Sequence, residues 1–151
     1  MELVETRERF NFPADTVWDL TGDFGGLHKW LAGAKTCEVS GAGPRDTGGN
    51  AERTVILMDG SITRESLESL DETNRCYSYA ILEAKGFNKD TRFIGRFQVL
   101  PLRDNSCEIV WQASFTVPEG LSDEKITQMK QRLQQMYGFF LQNLDSVLAS
   151  L

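Results

Sequence analysis

In RESLESLDETNRCYSYAILE, residues 64–83, Glu65 falls in phase with Leu67 on one extended run, and Tyr77, Tyr79 and Ile81 alternate on the next. A carboxylate on the apolar face of a strand is costly to bury alone, so Glu65 must meet a phenol, a cation, water or a bound molecule. Tyr77 and Tyr79 are the nearest donors. Two chemistries suit this trio. In one, Glu65 and the tyrosine hydroxyls orient a ligand that is otherwise held by apolar contact. In the other, Glu65 is a general base and Tyr77 or Tyr79 an acid or oxyanion donor. Neither calls for a cofactor.

The surrounding pattern positions these residues on a sheet. Residues 2–11 alternate as a strand. Pro13-Ala14-Asp15 opens a short helix with Val17, Trp18 and Leu20 on its apolar side, since proline is tolerated in a first turn and aspartate suits the positive end of the helix dipole. A bend at Gly25-Gly26 leads to a second short helix carrying Leu27, Trp30 and Leu31 and ending near Gly33. Residues 34–117 then follow a period of two, with strands near 35–41, 51–58, 61–70, 76–84, 91–100 and 107–117. Short connections between them imply an antiparallel meander. Pro118-Glu119-Gly120 ends the last strand, and Ser122 caps a helix of about seven turns. Its stripe, Ile126, Met129, Leu133, Met136, Tyr137, Phe140, Leu144, Val147 and Leu148, is expected to lie buried against the sheet's concave face.

Alternation assigns the faces. Ile109, Trp111, Ala113 and Phe115 point inward on the last strand, Phe93, Gly95 and Phe97 on the one before, and Tyr77, Tyr79 and Ile81 on the next. Thr63, Glu65 and Leu67 face the same interior. Arg53 is a possible counter-charge for Glu65, but Asp59-Gly60 is a two-residue hairpin signal, and pairing about it puts Arg53 on the face opposite Glu65 unless a bulge intervenes. A cavity between sheet and helix would then draw its walls from Ile81, Phe93, Phe97, Trp111 and Phe115, from Trp30, and from Tyr137, Phe140 and Leu141 of the long helix, with Glu65, Tyr77 and Tyr79 as its polar contacts. The tryptophans and phenylalanines serve the core first and the cavity second.

Composition removes other classes. The chain of 151 residues suits one domain, spanning 1–151, with room for a core and a cavity. A net charge of -6 opposes binding to phosphate backbones, and no basic tract appears, so nucleic acid is not an expected partner. The N-terminus MELVETRERF lacks the apolar segment of a secretory signal, and no apolar run approaches bilayer-spanning length. A soluble cytoplasmic protein without membrane insertion is the expectation. Cys37, Cys76 and Cys107 are odd in number and widely spaced, which argues for reduced thiols rather than disulfides or a zinc site. The single His28, beside Lys29, reads as a solvated surface residue, so no metal is assigned. The expected partner is a small hydrophobic molecule. A homodimer is compatible with the sequence but not legible in it.

The order strand, two short helices, six strands, long helix resembles the helix-grip fold of the polyketide cyclase, START and birch-pollen-allergen superfamily over essentially the whole chain. That fold is α+β, a curved antiparallel seven-stranded sheet wrapped around a long C-terminal helix. WDLTGDFGGLHKWL resembles the two-helix segment of bacterial polyketide-cyclase-like members. RESLESLDETNRCYSYAILE resembles a strand pair of the pollen allergens and plant abscisic-acid receptors, and VPEGLSDE the entry to their last helix. The resemblance implies a lipid, polyketide or aromatic metabolite bound between sheet and helix, or alternatively a cyclase, dehydratase or lyase. It aligns Glu65 with a pocket glutamate of the receptors, and Tyr77 and Tyr79 with cavity tyrosines of the allergens. The receptors' gate motif is replaced by ILMDG at residues 56–60 and their carboxylate-binding lysine by Leu31, which argues against a phosphatase partner.

Overall fold

The computed structural model describes residues 1–88 and 90–151. Strand β1 (Glu2–Phe10) leads past Pro13 into helix α1 (Ala14–Thr21), which buries Ala14, Val17, Trp18 and Thr21. The expected second helix is a tighter 3-10 segment, Phe24–Lys29, with Trp30 closing it. Glycines at 25 and 26 weaken an α-helix, and the Asp23 carboxylate stabilises the alternative by accepting from Gly25 N at 3.2 Å.

Strands β2 (Ala34–Ser40), β3 (Glu52–Leu57), β4 (Ile62–Asp71), β5 (Cys76–Glu83), β6 (Phe93–Pro101) and β7 (Cys107–Phe115) follow. They form a 7-stranded sheet in the order β1-β7-β6-β5-β4-β3-β2, with every neighbour antiparallel. The meander therefore runs from β2 to β7, and β1 closes onto β7. This is the α+β helix-grip architecture expected from the element order.

Helix α2 (Asp123–Ala149) starts at Ser122, whose side chain accepts from Lys125 N, with Asp123 and Glu124 in the first turn where the helix dipole favours them. Its apolar stripe is not buried along its full length. Tyr137, Leu141, Leu144 and Leu148 are buried, whereas Met129 and Met136 are 38% and 44% exposed. The C-terminal half packs into the sheet like a core element. The N-terminal half stands over open space, and that space holds the cavities described below.

Inward residues of β6 and β7 complete the core. Phe97, Val99, Ile109 and Ala113 are fully enclosed. Trp30 leans on Phe97 and Trp111, with ring centroids 5.6 Å and 5.8 Å away. Among the described residues no helix is long and apolar enough to cross a membrane.

Candidate functional site

Arg53 lies inside, opposite Glu65, and not on the other face. The cause is the β3–β4 turn. Leu57 N donates to Ser61 O at 2.9 Å, so the loop holds three residues, Met58, Asp59 and Gly60, rather than two. Gly60 takes the left-handed conformation (φ 85°) that such a bulged loop needs. Asp59 fixes the turn by accepting from both Ser61 N and Ser61 Oγ, and Lys85 Nζ lies 3.2 Å from its other oxygen. These contacts, those of Ser61 foremost, push the Asp59 pKa down to about 2. One added loop residue moves the register by one, which exchanges the faces of a strand. Arg53 consequently pairs with Glu65 across β3 and β4.

The resulting ion pair is buried, with side chains 2% and 9% exposed. Arg53 Nε and Nη2 both donate to Glu65 Oε1, at 2.7 Å and 2.6 Å, and Nη1 donates to Phe24 O at 3.1 Å. The guanidinium carbon sits 4.3 Å from the centre of the Phe24 ring, with Tyr79 and Tyr77 at 5.4 Å and 5.7 Å. Cation–π attraction is strengthened by such desolvation. Burial opposes the charge on Arg53, but the Glu65 carboxylate and the two tyrosines outweigh it and hold the group above its ordinary pKa. Glu65 Oε2 accepts no hydrogen bond from a described residue.

Beside this pair opens a cavity of about 530 Å³ between α2, the 3-10 segment and strands β3 to β7. Its walls are mostly apolar, including Leu27, Leu31, Leu57, Ile81, Phe93 and Phe140, and its polar end holds Arg53, Thr63, Glu65, Tyr79 and Tyr137. Met58, Asp59 and Lys85 also line it. Such a space falls within the volume range of small-molecule sites.

The tyrosines form a supported layer. Trp111 Nε1 donates to Tyr79 Oη at 3.0 Å, and the Trp111 ring stacks on Tyr137 at 4.1 Å and 7°. Burial raises the pKa of Tyr79 well above the phenol range, and the neighbouring Tyr137 and Glu65 raise it further. Burial likewise pushes up Tyr137 and Tyr77. All three are therefore hydrogen-bond donors at neutral pH. Tyr137 Oη is buried and has no hydrogen-bond partner among the described residues.

Of the residues singled out in the sequence, Glu65, Tyr79, Ile81, Phe93, Trp111, Tyr137 and Phe140 line this cavity. Tyr77 packs behind Arg53, against Trp18, Phe24 and Phe97. Trp30, Phe97 and Leu141 belong to the core. Phe115 stacks with Phe93 and lines a second cavity, of about 440 Å³, under the N-terminal half of α2. Phe93 and Met136 border both spaces. His28 is exposed. The sequence left Arg53 open as a counter-charge for Glu65, conditional on a bulge; the alternation of Ala51, Arg53 and Val55, which are 4%, 2% and 1% exposed, is the signal that places it inside.

A seven-stranded sheet gripping a long helix around an apolar cavity with one polar end defines a helix-grip protein with a ligand-sized interior. The sequence matches, over residues 1–149, the family described as polyketide cyclase / dehydrase and lipid transport, and the chain belongs to that family. Solved structures agree in fold. An uncharacterized protein from Bacillus thuringiensis is 23% identical with a TM-score of 0.79, over 98% of this chain and 99% of that one. XoxI from Bacillus cereus is 23% identical at 0.79, over 99% and 96%. A protein from Thermobifida fusca is 24% identical at 0.77, over 99% and 95%. No curated protein matches the sequence.

Proposed function

We propose that this protein binds a small amphipathic molecule, of the lipid, polyketide or aromatic-metabolite kind, in the cavity between the sheet and α2. The observation that carries the reading is the cavity itself: about 530 Å³, walled mostly by aliphatic and aromatic side chains, with Arg53, Glu65, Tyr79 and Tyr137 among its polar groups. Apolar burial supplies affinity and the polar end supplies orientation. Three unpaired cysteines, Cys37, Cys76 and Cys107, suit a reducing cytoplasm.

A second reading, cofactor-independent cyclisation or dehydration, draws on one arrangement. Glu65 Oε2 has no hydrogen-bond partner among the described residues, and Glu65 shares the cavity lining with the protonated Tyr79 and Tyr137. Glu65 would accept a proton and a phenol would donate one.

Incubation of the purified protein with an extract of its source, followed by native and denaturing mass spectrometry, separates the two. Binding predicts a retained compound recovered unchanged. Catalysis predicts a compound recovered only as its cyclised or dehydrated product, in a manner that depends on Glu65. Retention of nothing contradicts both.

A further inference from the structure

We infer that the cavity selects uncharged molecules bearing a hydroxyl or phenol over their carboxylate counterparts. The inference rests on the cavity being the binding site and adds the polarity of what enters it.

Arg53 is the only cation at the polar end among the described residues that line the cavity; it is 2% exposed and each of its three nitrogens already has a partner. Two of its nitrogens hold Glu65 Oε1, the third holds Phe24 O, and the Phe24 ring covers its face. An incoming anion would have to displace Glu65 to reach it. Lys85, the other cation lining the cavity, is paired with Asp59 at 3.2 Å. The ion pair as a unit carries no net charge, yet it presents an unengaged carboxylate oxygen, Glu65 Oε2. An oxygen of that kind attracts a donor and repels a second carboxylate.

The rest of the polar end complements a hydroxyl. Tyr79 Oη accepts from Trp111 Nε1 and so keeps its own hydrogen for an acceptor. A ligand hydroxyl that donates to Glu65 Oε2 and accepts from a phenol satisfies both. A carboxylate can only accept, and it leaves Oε2 facing like charge.

A matched series tests this: pyrene, 1-hydroxypyrene and pyrene-1-carboxylate, titrated at neutral pH against the intact protein and followed by their fluorescence. The expected order is 1-hydroxypyrene tightest, by about tenfold over pyrene, as for one hydrogen bond to a charged group, with the carboxylate weakest. Glu65→Gln leaves Arg53 without its counter-charge and should invert the order, so that pyrene-1-carboxylate binds best. Should that variant fail to fold, the double variant Arg53→Met/Glu65→Met removes the pair while keeping the interior filled. It should bind 1-hydroxypyrene no more tightly than pyrene. Equal or tighter binding of the carboxylate by the unaltered protein, or a hydroxyl preference that survives the double variant, would overturn the inference and leave cavity binding intact. Failure of all three probes to bind would overturn the binding reading, and the inference with it.

Discussion

The phenol ring of Tyr79 lies across the backbone of Gly95, its antiparallel partner on β6, in the space that a Cβ would fill. Without a side chain at 95 the ring can settle onto the strand and bring its hydroxyl to Trp111 Nε1, 3.0 Å away. The polar end of the cavity thus depends on a missing methyl group one strand over.

Gly95→Ala should therefore displace the ring and break the Trp111 bond. Overpacking of this kind costs about 1–3 kcal/mol, readable as a lower midpoint in urea unfolding. An unchanged midpoint would mean that the ring is free to move aside.

The same substitution at Gly138 should have the opposite sign. Gly138 lies in the interior of α2, and a Cβ there meets nothing within 4 Å. Gly138→Ala should raise stability by about 0.5–1 kcal/mol through helix propensity, measured in the same unfolding series.

Arg53 and Glu65 should behave as a unit. Removing one partner of a buried pair typically costs about 3–5 kcal/mol, whereas replacing both with apolar residues is often neutral or stabilising. Arg53→Met alone should be strongly destabilising, and the double variant with Glu65→Met should recover most of the loss. A double-mutant cycle by chemical denaturation checks this. Additive losses would show that the two side chains are not coupled.

The protein's three tyrosines, Tyr77, Tyr79 and Tyr137, are all buried at or beside the site and all have raised pKa values. A phenol whose ionisation is suppressed in the fold contributes stability that is complete below its unfolded pKa, about 10. That contribution is lost as the pH rises through the higher folded value. Alkaline titration should therefore yield no tyrosinate absorbance at pH values where urea-unfolded protein has already ionised. The signal should then appear together with loss of near-ultraviolet circular dichroism. A tyrosinate signal from folded protein near the ordinary phenol pKa would contradict the burial of this layer.

Most of the fold was legible in the sequence because its signals are local and periodic. Two-residue alternation marked the strands, and Ser122 with the apolar stripe marked α2. The inward faces of Glu65, Tyr79 and Trp111 followed from parity alone. The face of Arg53 was undecided because register depends on whether a turn holds two residues or three, and Met58-Asp59-Gly60 resembles either until the Leu57–Ser61 pairing is seen. The boundary between wall and core was illegible for a different reason. Trp30, Phe97 and Leu141 share apolar faces with Phe93 and Phe140, and only three-dimensional packing decides which of them border empty space.

The central claim is that the cavity beside Arg53 and Glu65 is where a ligand resides. The most direct measurement is the affinity of 1-hydroxypyrene for the unaltered protein and for Ile81→Trp and Leu31→Trp, whose added rings would occupy that space, with thermal unfolding as a control for folding. The account predicts saturable binding to the unaltered protein that is lost in both folded variants. Equal affinity in all three proteins would place the ligand elsewhere and contradict it.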